Sequence, residues 1–130
     1  DGVHLADEVV RLVWRAAAGR VALVSDAIAA AGAGDGASTL GGSEIVVRDG
    51  VARRPDGTIA GSTRPLLDGV RRLHALGVPL ADAVSAATSV PARVARRLDL
   101  GSLRPGGPAD VVVLDDALEV RTVLVGGRGV

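Results

Sequence analysis

Apolar side chains recur at helical spacing over residues 5–18, LADEVVRLVWRAAA, where Leu5, Val9, Leu12, Val13, Ala16 and Ala17 share one face. Acids lead this run, arginine closes it and Gly19 stops it, the charge order a helix dipole favours. The next run, Val21 to Ser25, is apolar on both faces, which predicts a strand buried between the layers of a parallel sheet. After Asp26 the stretch AIAAAGAGDGASTLGG over 27–42 has no amphipathic period, so a long loop is expected there, either a mobile lid or active-site wall or a plain connection. SEIVVR, Asp49-Gly50, VARR, Pro55-Asp56-Gly57 and TIAG then read as a β-hairpin over 43–60.

Beyond the hairpin, Ser62 or Thr63 is placed to cap a helix with Pro65 in its first turn. Its apolar stripe is Leu66, Leu67, Val70, Leu73 and Leu76, and Gly77 ends it. Pro79 to Ala87 and Pro91 to Leu98 predict two shorter helices. The tail gives a Gly/Pro turn, a strand at Asp110 to Leu114, a turn, a strand at Val120 to Val125 and a glycine turn. One buried parallel strand needs two neighbours for its backbone hydrogen bonds, and this sequence offers only the one. The expectation is an α/β chain that is part of a larger barrel or sheet, consistent with a start at Asp1 and a length of 130 residues.

Composition narrows the functions. Fifteen basic residues, all arginine, balance fifteen acids, so no net field draws nucleic acid or an anionic membrane. No apolar run reaches the roughly 20 residues of a membrane span, and a cytoplasmic setting is expected. Cysteine is absent, which removes disulfides and thiolate metal sites. Phe, Tyr, Lys, Asn, Gln and Met are missing too, and Trp14 is the single aromatic, so the core must come from Val, Leu, Ile and Ala.

Two histidines and one aspartate stand out. His74, near the end of a helix in RRLHALG, reads as a helix-terminal histidine. His4, in DGVH just before a helix, would face a site at the carboxyl ends of strands, or else cap or pack. Asp26 closes the apolar run LVSD, where a carboxylate is partly desolvated and suited to proton transfer, or else caps a turn. The glycine-rich stretch lacks a phosphate-loop or dinucleotide pattern, and neither HExxH nor GxSxG occurs.

In order along the chain, DGVH, LVSDA, AAAG, GTIAGS, SAATSVPAR and LRPGGPADVVVLD resemble the C-terminal part of the N-acetylglucosamine-6-phosphate deacetylases, in the amidohydrolase superfamily. The resemblance implies the C-terminal portion of a metal-dependent (β/α)8 barrel over residues 1–100. Val21 to Ser25 would be its last strand, and residues 101–130 would form strands of a small β-sandwich domain. By position, Asp26 matches the general acid/base, and Asp1, Gly2, Val3, His4, Ile59, Ala60 and Gly61 match substrate-binding positions. The implied cofactor is a divalent metal ion, zinc or iron. Its ligands are not in this chain, apart from contact by Asp26, so the 130 residues alone are expected to be inactive. The implied partners are an amino-sugar phosphate substrate and, for the full-length protein, a second copy in a homodimer. Two alternatives stay open: another amidohydrolase acting on a cyclic amide or nucleobase, and a stand-alone α+β module without catalysis.

Overall fold

The computed structural model describes residues 2–17 and 19–130. Among these residues lie four helices and two antiparallel sheets. Helix α1 spans Asp7–Ala16, shorter at its start than the periodicity predicts, with Ala6 as N-cap. Its packing face also differs from the predicted one. Val10 and Trp14 rest on the helical core, while Leu5, Val9, Leu12 and Val13 stay exposed, Leu12 at 67%. The strongest apolar stripe on a helix marks the face that wants burial, and here nothing among the described residues covers it.

Val21 to Ser25 is the second departure. It is extended but joins no sheet, and Val24 is 78% exposed. Leu23 N–H donates to the Ala86 carbonyl at 2.8 Å, and the single parallel bridge beyond, Ala27 to Ser62, ties the segment's end to the first sheet. Among the described residues no strand pairs with it, so a buried strand does not form.

The stretch expected as a loop contains strand β1, Gly36–Leu40, and the expected hairpin over 43–60 is a four-stranded meander, β1–β2–β3–β4. Strand β2 is Ser43–Arg48, β3 Val51–Arg53 and β4 Ile59–Ser62. Gly41-Gly42 and Asp49-Gly50 take positive φ at both positions of their two-residue turns, the geometry that matches strand twist. Register then fixes the faces: Ser38 pairs with Ile45 and Val47 with Ala52. Ile45, Val47 and Ala52 are buried with Ala30, and Ile28, Leu40 and Ala60 close the cluster. Glu44 and Arg48 alternate outward. Asp35 braces the sheet, its carboxylate accepting Asp49 N–H at 2.7 Å and Gly50 N–H at 3.1 Å. These two bonds hold the Asp35 carboxyl below its ordinary range.

Helix α2, Leu66–Ala75, begins after Pro65, which is itself the N-cap. Neither Ser62 nor Thr63 caps it: Ser62 Oγ accepts Arg64 N–H at 3.1 Å, and Thr63 Oγ1 donates to the Gly50 carbonyl. Both side chains are drawn into the sheet-to-helix corner. Helix α3 is Leu80–Ala87 and α4 Ser89–Val94, which starts before Pro91 and stops where Arg96 adopts positive φ. Val70, Leu73, Val78, Ala83 and Ala86 form the helical core, against which Leu23 and Leu67 pack.

The second sheet has strands β5, Val111–Leu114, β6, Val120–Val125, and β7, Arg128–Gly129. Asp115 shapes its turn by accepting Ala117 and Glu119 N–H at 2.9 and 2.8 Å. Arg71 of α2 reaches across to this turn, donating to the Leu118 carbonyl and pairing with Glu119 Oε2 at 2.9 Å.

Candidate active site

Asp26 sits where the extended segment meets the first sheet. Its backbone is locked there: Ser62 N–H donates to the Asp26 carbonyl at 2.8 Å, and Ile28 N–H donates to the Ser62 carbonyl at 3.0 Å. Asp26 itself takes φ +48°, a conformation a non-glycine residue rarely holds unless its surroundings fix it. Gly61 is the reason the lock can close. At φ +110° a Cβ there would meet Ile28 Cγ2 at 2.6 Å and the Asp26 carbonyl oxygen at 3.0 Å, and would lie 3.6 Å from Asp26 Oδ2.

The Asp26 side chain is exposed, not partly desolvated as its sequence setting predicts. Among the described residues no strand pairs with Val21–Ser25, and a strand-end carboxylate loses water only when neighbouring strands crowd it.

A cleft of about 440 Å³ runs from Asp26 along the extended segment. Its polar lining includes His4, Ser25, Asp26 and Arg72, and its apolar lining includes Trp14 and Leu73. Size and lining suit a small ligand held by a few polar groups. Gly2 and His4 line it, whereas Val3, in the same turn, does not. Asp1 lies outside the described residues. Ile59, Ala60 and Gly61 are not part of the cleft wall; Gly61 lies against Asp26 and Ile28, and the Ala60 side chain packs on the Ile45 cluster. His74 sits apart, Nδ1 3.1 Å from the Val78 carbonyl, as a helix-terminal histidine should.

Sequence reading missed Arg72 in this cleft. It pairs with Asp7 of α1 at 2.6 Å, and its guanidinium lies where a Cβ on Gly2 would be. The only signal for it was a second arginine beside Arg71 on the less apolar side of α2.

The amidohydrolase family model matches residues 1–130. The chain belongs to the amidohydrolase family. It is 40% identical over 98% of its length to the N-acetylgalactosamine-6-phosphate deacetylase of Escherichia coli O157:H7, of which it covers 34%. Among solved structures, the N-acetylglucosamine-6-phosphate deacetylase of Thermotoga maritima aligns over 99% of the chain with a TM-score of 0.92 and 35% identity. A mutant of the Mycobacterium smegmatis enzyme, in complex with N-acetyl-D-glucosamine-6-phosphate, aligns over 98% with a TM-score of 0.89 and 37% identity. The chain spans about a third of the length of each of these three relatives. The described helices and sheets are therefore a fragment of the amidohydrolase fold expected from the motifs.

Amidohydrolases are in general metal-dependent. Among the described residues no three His, Asp or Glu side chains gather closely enough to hold an ion, so these residues do not make a metal centre by themselves. What the cleft offers is one exposed carboxylate on a rigid backbone, an imidazole and a guanidinium.

Proposed function

We propose that this chain supplies the proton-transfer end of the active site in a hydrolase that converts N-acetylglucosamine 6-phosphate to glucosamine 6-phosphate and acetate. The observation that carries the reading is Asp26, held at positive φ by the Ser62 and Gly61 lock and opening on the cleft that His4 lines. Asp26 accepts a proton from the attacking water as its oxygen bonds to the acetamide carbonyl carbon. It returns that proton to the nitrogen as the C–N bond breaks, releasing acetate and the free amine. His4 and the Gly2–Val3 backbone bind the sugar phosphate, and Ile59, Ala60 and Gly61 contribute backbone contacts from the sheet side.

Residues 1–100 belong to the barrel and 101–130 to the sandwich in this reading, in line with the division of the strands between two sheets. A divalent ion, zinc or iron, is part of it, held by residues other than those described apart from contact by Asp26. The 130 residues alone therefore show no turnover. The enzyme is a homodimer and works in the cytoplasm, where a charged sugar phosphate is retained.

Acetate release from N-acetylglucosamine 6-phosphate, measured on the enzyme that carries this chain, tests the reading. Asp26→Asn keeps the side-chain size and removes the proton relay, so turnover should fall on the order of a hundredfold or more. Near-normal turnover in that variant removes Asp26 from the role, and turnover of a cyclic amide in place of the amino sugar moves the enzyme to a different amidohydrolase activity.

A further inference from the structure

The segment that carries His4 has no regular secondary structure and precedes a helix with no buried residue. Such a segment keeps one conformation only if something outside it supplies the contacts. Arg72 supplies two such contacts, one on each side of His4. Arg72 of α2 pairs through Nη2 with Asp7 Oδ1 at 2.6 Å, three residues after His4. The same guanidinium lies against Gly2, two residues before His4, where φ is +83° and a Cβ would collide with Nη1 and Cζ. A single rigid, planar group thus grips the chain on both sides of the histidine.

Glycine at position 2 is what lets the guanidinium come this close to the backbone. Arg72 Nε and Asp7 Oδ1 are both shielded from water and make no hydrogen bond; the ion pair through Nη2 compensates Asp7 Oδ1. Removing either partner leaves a shielded polar group unmatched. The neighbouring Arg71 contacts the second sheet instead, at Leu118 and Glu119.

We propose that Arg72 is a positioning residue: with Asp7 and Gly2 it clamps the Gly2–Ala6 segment onto α2 and so keeps His4 in the cleft with Asp26. This rests on the deacetylase reading for its catalytic consequence, but the clamp itself does not. Amide hydrogen exchange on the chain reads the clamp directly. In Arg72→Ala, exchange over residues 3–6 should quicken by about tenfold or more while the β2 amides keep their protection. Arg72→Lys retains the charge for Asp7 but brings no guanidinium against Gly2, and should fall between the two; the swap Asp7→Arg with Arg72→Asp should recover part of the protection.

In the deacetylase assay on the enzyme, Arg72→Ala should raise KM for the sugar phosphate by about tenfold with kcat changed far less, since the clamp places a binding group and leaves Asp26 in place. Unchanged exchange over 3–6 overturns the clamp. So does a rise shared equally with β2, which would mean general destabilisation. A clamp confirmed by exchange in a protein without deacetylase activity would leave Arg72 in its role and remove the functional reading instead.

Discussion

The β1–β4 meander and the stretch from α1 to Ser25 draw on the same small apolar side chains, yet the first closes a core and the second leaves much of its apolar surface in water. In the meander, each strand finds its partner in the next segment of chain, and two-residue turns fix the register, so Ile45 and Val47 fall on the inner face without help from elsewhere. Val21–Ser25 has no such local partner. It is held by one backbone bond to Ala86 and by the Ala27–Ser62 bridge, and α1 above it buries only its Val10 and Trp14 side. Antiparallel sheets can be local, whereas a parallel strand depends on chain far away in sequence.

The largest expected break in this comparison comes from paired truncations. Ile45→Ala should cost about 2–5 kcal/mol, because the side chain is 1% exposed and the cluster around it is closed. Leu12→Ala, on the open face of α1, should cost no more than about 0.5 kcal/mol in this chain. Denaturant unfolding followed by circular dichroism measures both, and equal losses would end the distinction.

Gly61→Ala probes the joint between the two regions. The positive φ and the contact with Ile28 and the Asp26 carbonyl should cost about 1 kcal/mol or more. Amide chemical shifts of Ala27 and Ile28 should move while those of β2 do not.

A milder test concerns the open surface alone. Leu12→Glu combined with Val24→Asp should lower the binding of a hydrophobic dye and any self-association of the chain, without lowering the unfolding midpoint. A fall in midpoint would show that these side chains are already covered.

The smallest effect lies beyond α4. Hydrogen bonds from Arg97 hold the Asp99 carboxyl at about 2, down from 3.8. Its depressed value means that this pair contributes above pH 3.8 and is lost as pH falls towards about 2. A carboxyl titration by NMR should show the low midpoint, and Arg97→Ala should return it towards 3.8. As the pair is exposed, global stability should scarcely change.

Much of this was legible in the sequence because it is local. The α2 stripe, the glycine that ends it, the Asp49-Gly50 turn and the β5–β6 ribbon all follow from spacing and turn chemistry. The Gly41-Gly42 turn was legible too, and reading it as part of a loop hid β1. The errors share one origin. The helix periodicity marked Leu5, Val9, Leu12 and Val13 as the face to bury, and the run Val21–Ser25 as a core strand. Both statements describe what these side chains need, not what lies next to them.

The sequence by itself determined the family, through motifs spread along the whole chain, and it singled out Asp26 and His4 as the residues able to do chemistry. Turn residues and short-range periodicity are properties of neighbouring positions, so they can be read in order. Only the tertiary structure decided that Gly61 must be glycine beside Asp26, that Ser62 locks the Asp26 backbone, and that Arg72 holds both sides of His4. Those contacts join residues 35 to 70 positions apart, and such a meeting depends on how helices and sheets dock.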